Sequence, residues 1–193
     1  MTMAATVSPL EPDTPTQPYW THADYDRATA AGAFGDRRIQ LLHGELYEMP
    51  PMNAPHILAS GYLERRFARL RSDVDDRVRV SKPIVLPEDG QPEPDLAVLR
   101  PGAPAKPEVR DVLLAIEISH ATRRRDLGTK LEDYLRDGLA ELWIIDLVER
   151  CAWIYRDGSL VARHARGAGV QLVADGVPEV SIDLDELLRA AGV

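Results

Sequence analysis

The chain has 193 residues, 45% of them hydrophobic and 28% charged, with a net charge of -8. That length suits one domain with an extension, large enough to bury a core without staples. The single cysteine, Cys151, excludes a disulfide framework and fits a reducing cytoplasm. No apolar run approaches the roughly 20 residues that span a bilayer. Residues 1–10 lack the basic start and apolar block of a signal peptide. The pI near 5.1 argues against an avid, non-specific nucleic-acid binder.

Residues 1–18 carry Pro9, Pro12, Pro15 and Pro18 and no apolar periodicity. They read as a disordered tail, with a single domain over 19–193. Thr21 caps an expected helix to about Ala31, closed by Gly32 and Gly35. Strands are expected over 38–42 and 45–49 around a His43-Gly44 turn. Asn53 opens the longest helical pattern, in which Ala59, Leu63, Phe67, Leu70 and Val74 form one apolar stripe. Strands follow over 77–86 and 95–99, then a Pro/Gly-rich loop over 101–107. Residues 112–118 are nearly all apolar, as in a strand buried on both faces. A helix over 127–137 ends at Gly138, and a buried strand spans 142–145. Short meander strands are expected over 151–155, 160–164 and 171–173, and a closing helix over 183–190. The order is that of a mixed α/β or α+β domain. Charge is uneven: residues 65–82 are net +4 and 123–130 net +3, either a basic face or solvated helix surfaces.

Three features point to chemistry. Asp95 opens an apolar strand after Pro92-Glu93-Pro94, and Glu117 sits inside the most apolar run. A buried carboxylate must be paired, protonated or bound to a metal. Two carboxylates at neighbouring strand ends repel each other, and a divalent cation would resolve that. Ser119, two residues on, shares the face of Glu117. Asp126, Lys130 and Tyr134, spaced by four, line one helix face from which Lys130 would reach the carboxylates.

Pro94-Asp95 followed by Glu117-Ile118-Ser119 resembles the signature of the PD-(D/E)XK nuclease superfamily. More closely, His43-Gly44-Glu45-Leu46-Tyr47-Glu48-Met49, Pro92 to Val98, Ala115 to Ser119, Asp126 to Tyr134 and Glu141-Leu142-Trp143-Ile144-Ile145-Asp146 resemble the Uma-two family of restriction-endonuclease-like proteins. The resemblance implies an α/β (α+β) restriction-endonuclease-like core. Its central mixed sheet is flanked by helices in the order αβββαβ, with a hairpin before and a meander after. It implies a metal-dependent DNA endonuclease. Asp95 and Glu117 would be the metal ligands, for Mg²⁺ by default with Mn²⁺ as substitute. Glu45 would complete the acidic cluster. Lys130 would stand in for the signature lysine, whose usual place two after Glu117 is taken by Ser119.

His56 matches a histidine at the start of the first core helix, and Tyr134 is a second accessory candidate. Arg123, Arg124 and Arg125 are candidate nucleic-acid contacts, and a cytoplasmic homodimer acting on DNA without membrane attachment is expected. The rival class is a catalytically inactive nuclease-fold protein, a dimeric nucleic-acid-binding or regulatory module. A third class is a structural protein in which Glu117 meets a buried arginine. Each site residue has a structural alternative: a strand start for Asp95, a solvated surface position for Lys130, cross-hairpin pairing with Arg38 for Glu45, and core packing for His56 and Tyr134.

Overall fold

The computed structural model describes residues 17–71, 76–120 and 127–193, so all but two residues of the expected tail fall outside the description. Helix α1 (His22–Ala30) starts at Thr21, whose side chain and that of Asp24 cap each other's backbone N–H. Strands β1 (Ile39–Leu42) and β2 (Glu45–Glu48) form the expected hairpin. His43 and Gly44 both have positive φ, 48° and 73°, the geometry of the tight turn that suits strand twist. A methyl group on Gly44 would run into the Tyr19 ring. Gly44→Ala is therefore expected to cost about 1–2 kcal/mol from the left-handed backbone alone, read from urea unfolding midpoints. Tyr25, Ile39 and Leu41 join α1 to the hairpin through a small core of their own.

Helix α2 (Ala54–Phe67) is capped by Asn53 and buries Ala59, Leu63 and Phe67. The apolar stripe predicts a longer helix, through Leu70 and Val74. Instead the chain tightens into a 3-10 turn at Ala68–Leu70, and Arg71 is extended. The tighter turn satisfies terminal carbonyls while Leu70 still packs against the core. Val74 lies outside the described residues. Strand β3 (Val78–Val80) is also shorter than expected. Ser81 turns left-handed with φ 47°, and Pro83 has no N–H to donate. Val85 and Leu86 make isolated bridges to Glu108 and Gly90, and the Ile84 N–H donates to the Pro92 carbonyl at 3.0 Å.

The central sheet adds β4 (Leu96–Leu99), β5 (Val112–Ser119), β6 (Glu141–Asp146), β7 (Cys151–Arg156) and β8 (Ser159–Ala165). Its six strands run in the order β3-β4-β5-β6-β7-β8. Neighbours are antiparallel except β5 and β6, which are parallel. That pair needs a crossover, supplied by helix α3 (Thr129–Arg136), which ends ahead of Gly138 at φ 80°. Alternate residues of β5 face two different cores. Leu114, Ile116 and Ile118 pack with α2, and Ala115 packs with Tyr134 of α3. The order α2-β3-β4-β5-α3-β6 reproduces the expected αβββαβ core.

After β8 the chain leaves the sheet for a separate hairpin, β9 (Gln171–Ala174) and β10 (Val177–Asp183). Strand β10 is absent from the sequence reading because Pro178 interrupts its pattern; its Val180 and Ile182 are nevertheless buried. Helix α4 (Leu184–Ala190), capped by Asp183, packs Leu184, Leu187 and Leu188 into the α2-side core. Cys151 is buried, and burial pushes its thiol up from the ordinary range. A thiol reagent at neutral pH is thus expected to label native protein far more slowly than unfolded protein, a difference seen directly by mass spectrometry. Among the described residues no helix is long and apolar enough to cross a membrane.

Candidate active site

Glu117 lies on the face of β5 that looks toward α3, 2% exposed. An unpaired charge there would be prohibitive. Lys130 and Tyr134, one helical turn apart on α3, meet it together. The Lys130 ammonium donates to Glu117 Oε2 at 2.8 Å, and the Tyr134 hydroxyl donates to Oε1 at 2.9 Å. Lys130 is 3% exposed, so it is buried against Glu117 and not the solvated surface lysine that its helical position allows. Its ammonium also donates to the Glu93 carbonyl at 3.1 Å. Tyr134 does more than pack: its ring belongs to the α3-side core while its hydroxyl is spent on Glu117. Among the described residues the charged partner of Glu117 is a lysine, Lys130.

Asp95 precedes β4, one step beyond the Leu96–Ile116 pair, which places it opposite Glu117. Its Oδ2 accepts from the Ile118 N–H at 2.6 Å, and its Oδ1 lies 2.8 Å from His56 Nε2. An ionised carboxylate only accepts, so the ring nitrogen is the donor. The first turn of α2 delivers His56, and Asn53 fixes that turn by accepting from the His56 N–H at 3.1 Å. The Asn53 amide nitrogen also lies 2.9 Å from His120 Nδ1, tying the start of α2 to the end of β5. His56 is therefore more than a helix-start residue, since it orients one of the two carboxylates.

The extended segment Pro92-Glu93-Pro94 straps these parts together. Besides receiving Lys130, Glu93 donates its N–H to Gln40 Oε1 at 3.4 Å, and its carboxylate pairs with Arg38 at 2.7 Å. Arg38 is thereby taken from Glu45. The buried Gln40 joins this network; the sequence reading misses it, although a lone amide within Ile39-Gln40-Leu41-Leu42 is the signal for it. Glu45 shares its hairpin face with Gln40 through the Leu42–Glu45 and Gln40–Tyr47 pairs. It is exposed, however, and accepts from the Tyr47 hydroxyl. Among the described residues no three acidic, histidine or cysteine side chains gather closely enough to hold a metal, so Glu45 does not complete a cluster with Asp95 and Glu117. Arg123, Arg124 and Arg125, with Asp126, lie outside the described residues.

Among the described residues, two buried oxygens here have no hydrogen-bond partner, Ser119 Oγ and Asp133 Oδ2. Ser119 is fully buried at the end of β5. Asp133 accepts from Arg136 at 2.9 Å through its other oxygen, and burial raises its carboxyl above the ordinary value despite that cation. A raised folded pKa stabilises the protein at low pH, and this stabilisation is lost as pH rises through it. Asp133→Asn is therefore expected to gain stability relative to wild type as pH goes from 4 to 7, measured as urea midpoints at both values.

By residue type, the two carboxylates are the candidate holders of a hard divalent cation. Asp95 and Glu117 offer oxygen from adjacent strands, and Mg²⁺ needs only one or two carboxylates when water and phosphate supply the rest. The chain folds as a six-stranded mixed sheet with helices on both faces, and Asp95, Glu117 and the buried Lys130 lie beside its middle strands. It is similar to the crystal structure of a "putative nuclease belonging to DUF820" from Anabaena variabilis, with a TM-score of 0.60, 14% identity, and coverage of 79% of this chain and 90% of that one. The chain belongs to the Uma2 family, described as "putative restriction endonuclease", which it matches over residues 23–185. No curated protein matches it.

Proposed function

We propose that this protein is a metal-dependent endonuclease that hydrolyses phosphodiester bonds in DNA. The observation that carries the reading is the buried Lys130–Glu117–Tyr134 cluster placed one strand from the Asp95–His56 pair. Buried polar networks of this cost are kept where function needs them. Asp95 and Glu117 would hold Mg²⁺, or Mn²⁺ in its place, which supplies a water of lowered pKa and neutralises charge on the phosphoryl oxygens.

The chain's own residues do the positioning. His56 and the Ile118 N–H hold both oxygens of Asp95 in one orientation. Tyr134 and Lys130 do the same for Glu117. The Lys130 ammonium, oriented by the Glu93 carbonyl, places a fixed positive charge where negative charge grows on the phosphate, and costs no reorganisation during reaction. A cytoplasmic homodimer belongs to the same reading, because cutting both strands calls for two centres; light scattering tests the dimer.

The test is calorimetric titration of Mn²⁺ into metal-free protein, with nicking of supercoiled plasmid as the second readout. Wild type is expected to bind saturably and to nick, and Glu117→Gln to do neither. Equal binding in both proteins with no nicking under either metal would overturn the enzyme reading in favour of an inactive nucleic-acid-binding module.

A further inference from the structure

The strap that orients Lys130 has a second side. There Glu93 forms a wall shared by two adjoining hollows of about 670 and 270 Å³. Both hollows are also lined by Tyr25 and Thr29 of α1, so together they make one groove along that helix. Its lining carries five cations, Arg37, Arg38, Arg79, Lys82 and Lys106, against two anions, Asp26 and Glu93. The groove is thus net +3 on a protein whose net charge is -8. Asp26 and Glu93 are already engaged, by Lys106 at 2.7 Å and Arg38 at 2.7 Å. Lys82 is exposed and makes no ion pair among the described residues, and Arg37 is exposed with only the Phe34 carbonyl as its side-chain partner. The interspersed lining of Tyr25 and Phe34 is apolar.

We infer that this groove carries the phosphate backbone of the DNA strand that flanks the scissile bond, with Lys82 in one hollow and Arg37 in the other as its phosphate contacts. The inference rests on the nuclease reading and adds the path of the substrate. Charge complementarity supports it: a cationic track on an otherwise acidic protein attracts a polyanion locally, and cations interleaved with apolar surface are how single strands and frayed ends are held. Continuity supports it as well, because one residue, Glu93, both lines the groove and holds Lys130. A strand lying in the groove would therefore pass Glu93, whose carbonyl accepts from Lys130 and which stands two residues before Asp95.

Binding of a fluorescein-labelled 20-base-pair DNA in EDTA, followed by anisotropy from 50 to 200 mM salt, tests the groove without cleavage. Lys82→Glu combined with Arg37→Glu is compared with wild type. Arg166→Glu combined with Arg189→Glu, at exposed positions outside the groove, makes the same change in net charge. The groove variant is expected to lose affinity at least about tenfold and to lower the salt slope by about two, one per phosphate contact. The control pair is expected to lose much less. Mn²⁺ titration should be unchanged in both, which shows the carboxylate site intact. Equal losses in the groove and control variants overturn the groove and leave the nuclease reading to its own test with Glu117. Absence of DNA binding by wild type overturns both. An acidic peptide that competes as well as DNA of equal charge also overturns the assignment to nucleic acid.

Discussion

Glu117→Ala is expected to lose about 3–5 kcal/mol of stability, because it takes the carboxylate at 2.8 Å from the Lys130 ammonium in a site 3% exposed to water. Tyr134 loses the Glu117 acceptor as well, and the Glu93 carbonyl at 3.1 Å is a neutral partner for a full charge. The loss is read from urea unfolding at pH 7. A second variant separates the charge from the cavity. Glu117→Leu with Lys130→Met removes both charges at similar volume and is expected to recover most of the stability, since well-packed apolar replacements of buried ion pairs are often neutral or better. The double variant should nevertheless bind no Mn²⁺ and cleave nothing. Stability and function would then part company, the expected mark of a charge pair retained for chemistry. A loss under about 1 kcal/mol for Glu117→Ala would mean that water already reaches Lys130.

Asp95→Asn is expected to leave the fold in place and to lower metal-dependent nicking about a hundredfold or more. The amide oxygen still accepts from the Ile118 N–H, so the start of β4 keeps its anchor. What changes is the charge and the side facing His56, where an amide nitrogen replaces a carboxylate oxygen. His56→Gln is expected to do less, a loss of about 10–100-fold, because it acts through Asp95 and not on the metal itself. The order Asp95→Asn worse than His56→Gln, with both variants unfolding near the wild-type midpoint, is the checkable result. The reverse order would make His56 the primary group and Asp95 its support.

Much of this architecture follows from local pattern. Thr21 before a polar helix, His43-Gly44 between two apolar segments and the nearly continuous apolar run of β5 are each dictated by backbone chemistry that neighbours cannot easily override. The places where pattern misleads have definite causes. Residues 77–86 alternate like a strand, but Ser81 and Pro83 end the pairing after three residues. The α2 stripe continues past the point where the helix tightens. Strand β10 hides behind Pro178, which is tolerated because β10 pairs on one side only, with β9.

The same division runs through the site. Residue type alone singles out Asp95 and Glu117, because a carboxylate beside or within an apolar strand has few inexpensive explanations. Helical spacing alone puts Lys130 and Tyr134 on one face. Their partners are a different matter. Only the parallel crossover from β5 through α3 to β6 turns that face onto Glu117 and buries the lysine. Only the docking of α2 on the opposite face brings His56 to Asp95, 39 residues away. The strap through Glu93, which joins Gln40, Arg38 and Lys130, leaves no trace in spacing, since it meets Gln40 and Lys130 through backbone groups and Arg38 across 55 residues of chain. The order of elements and the acidic pair are properties of short segments, where propensity and burial act within a few residues. Which cation neutralises which carboxylate is decided by long-range packing, because the free energy of a buried charge depends on everything folded around it.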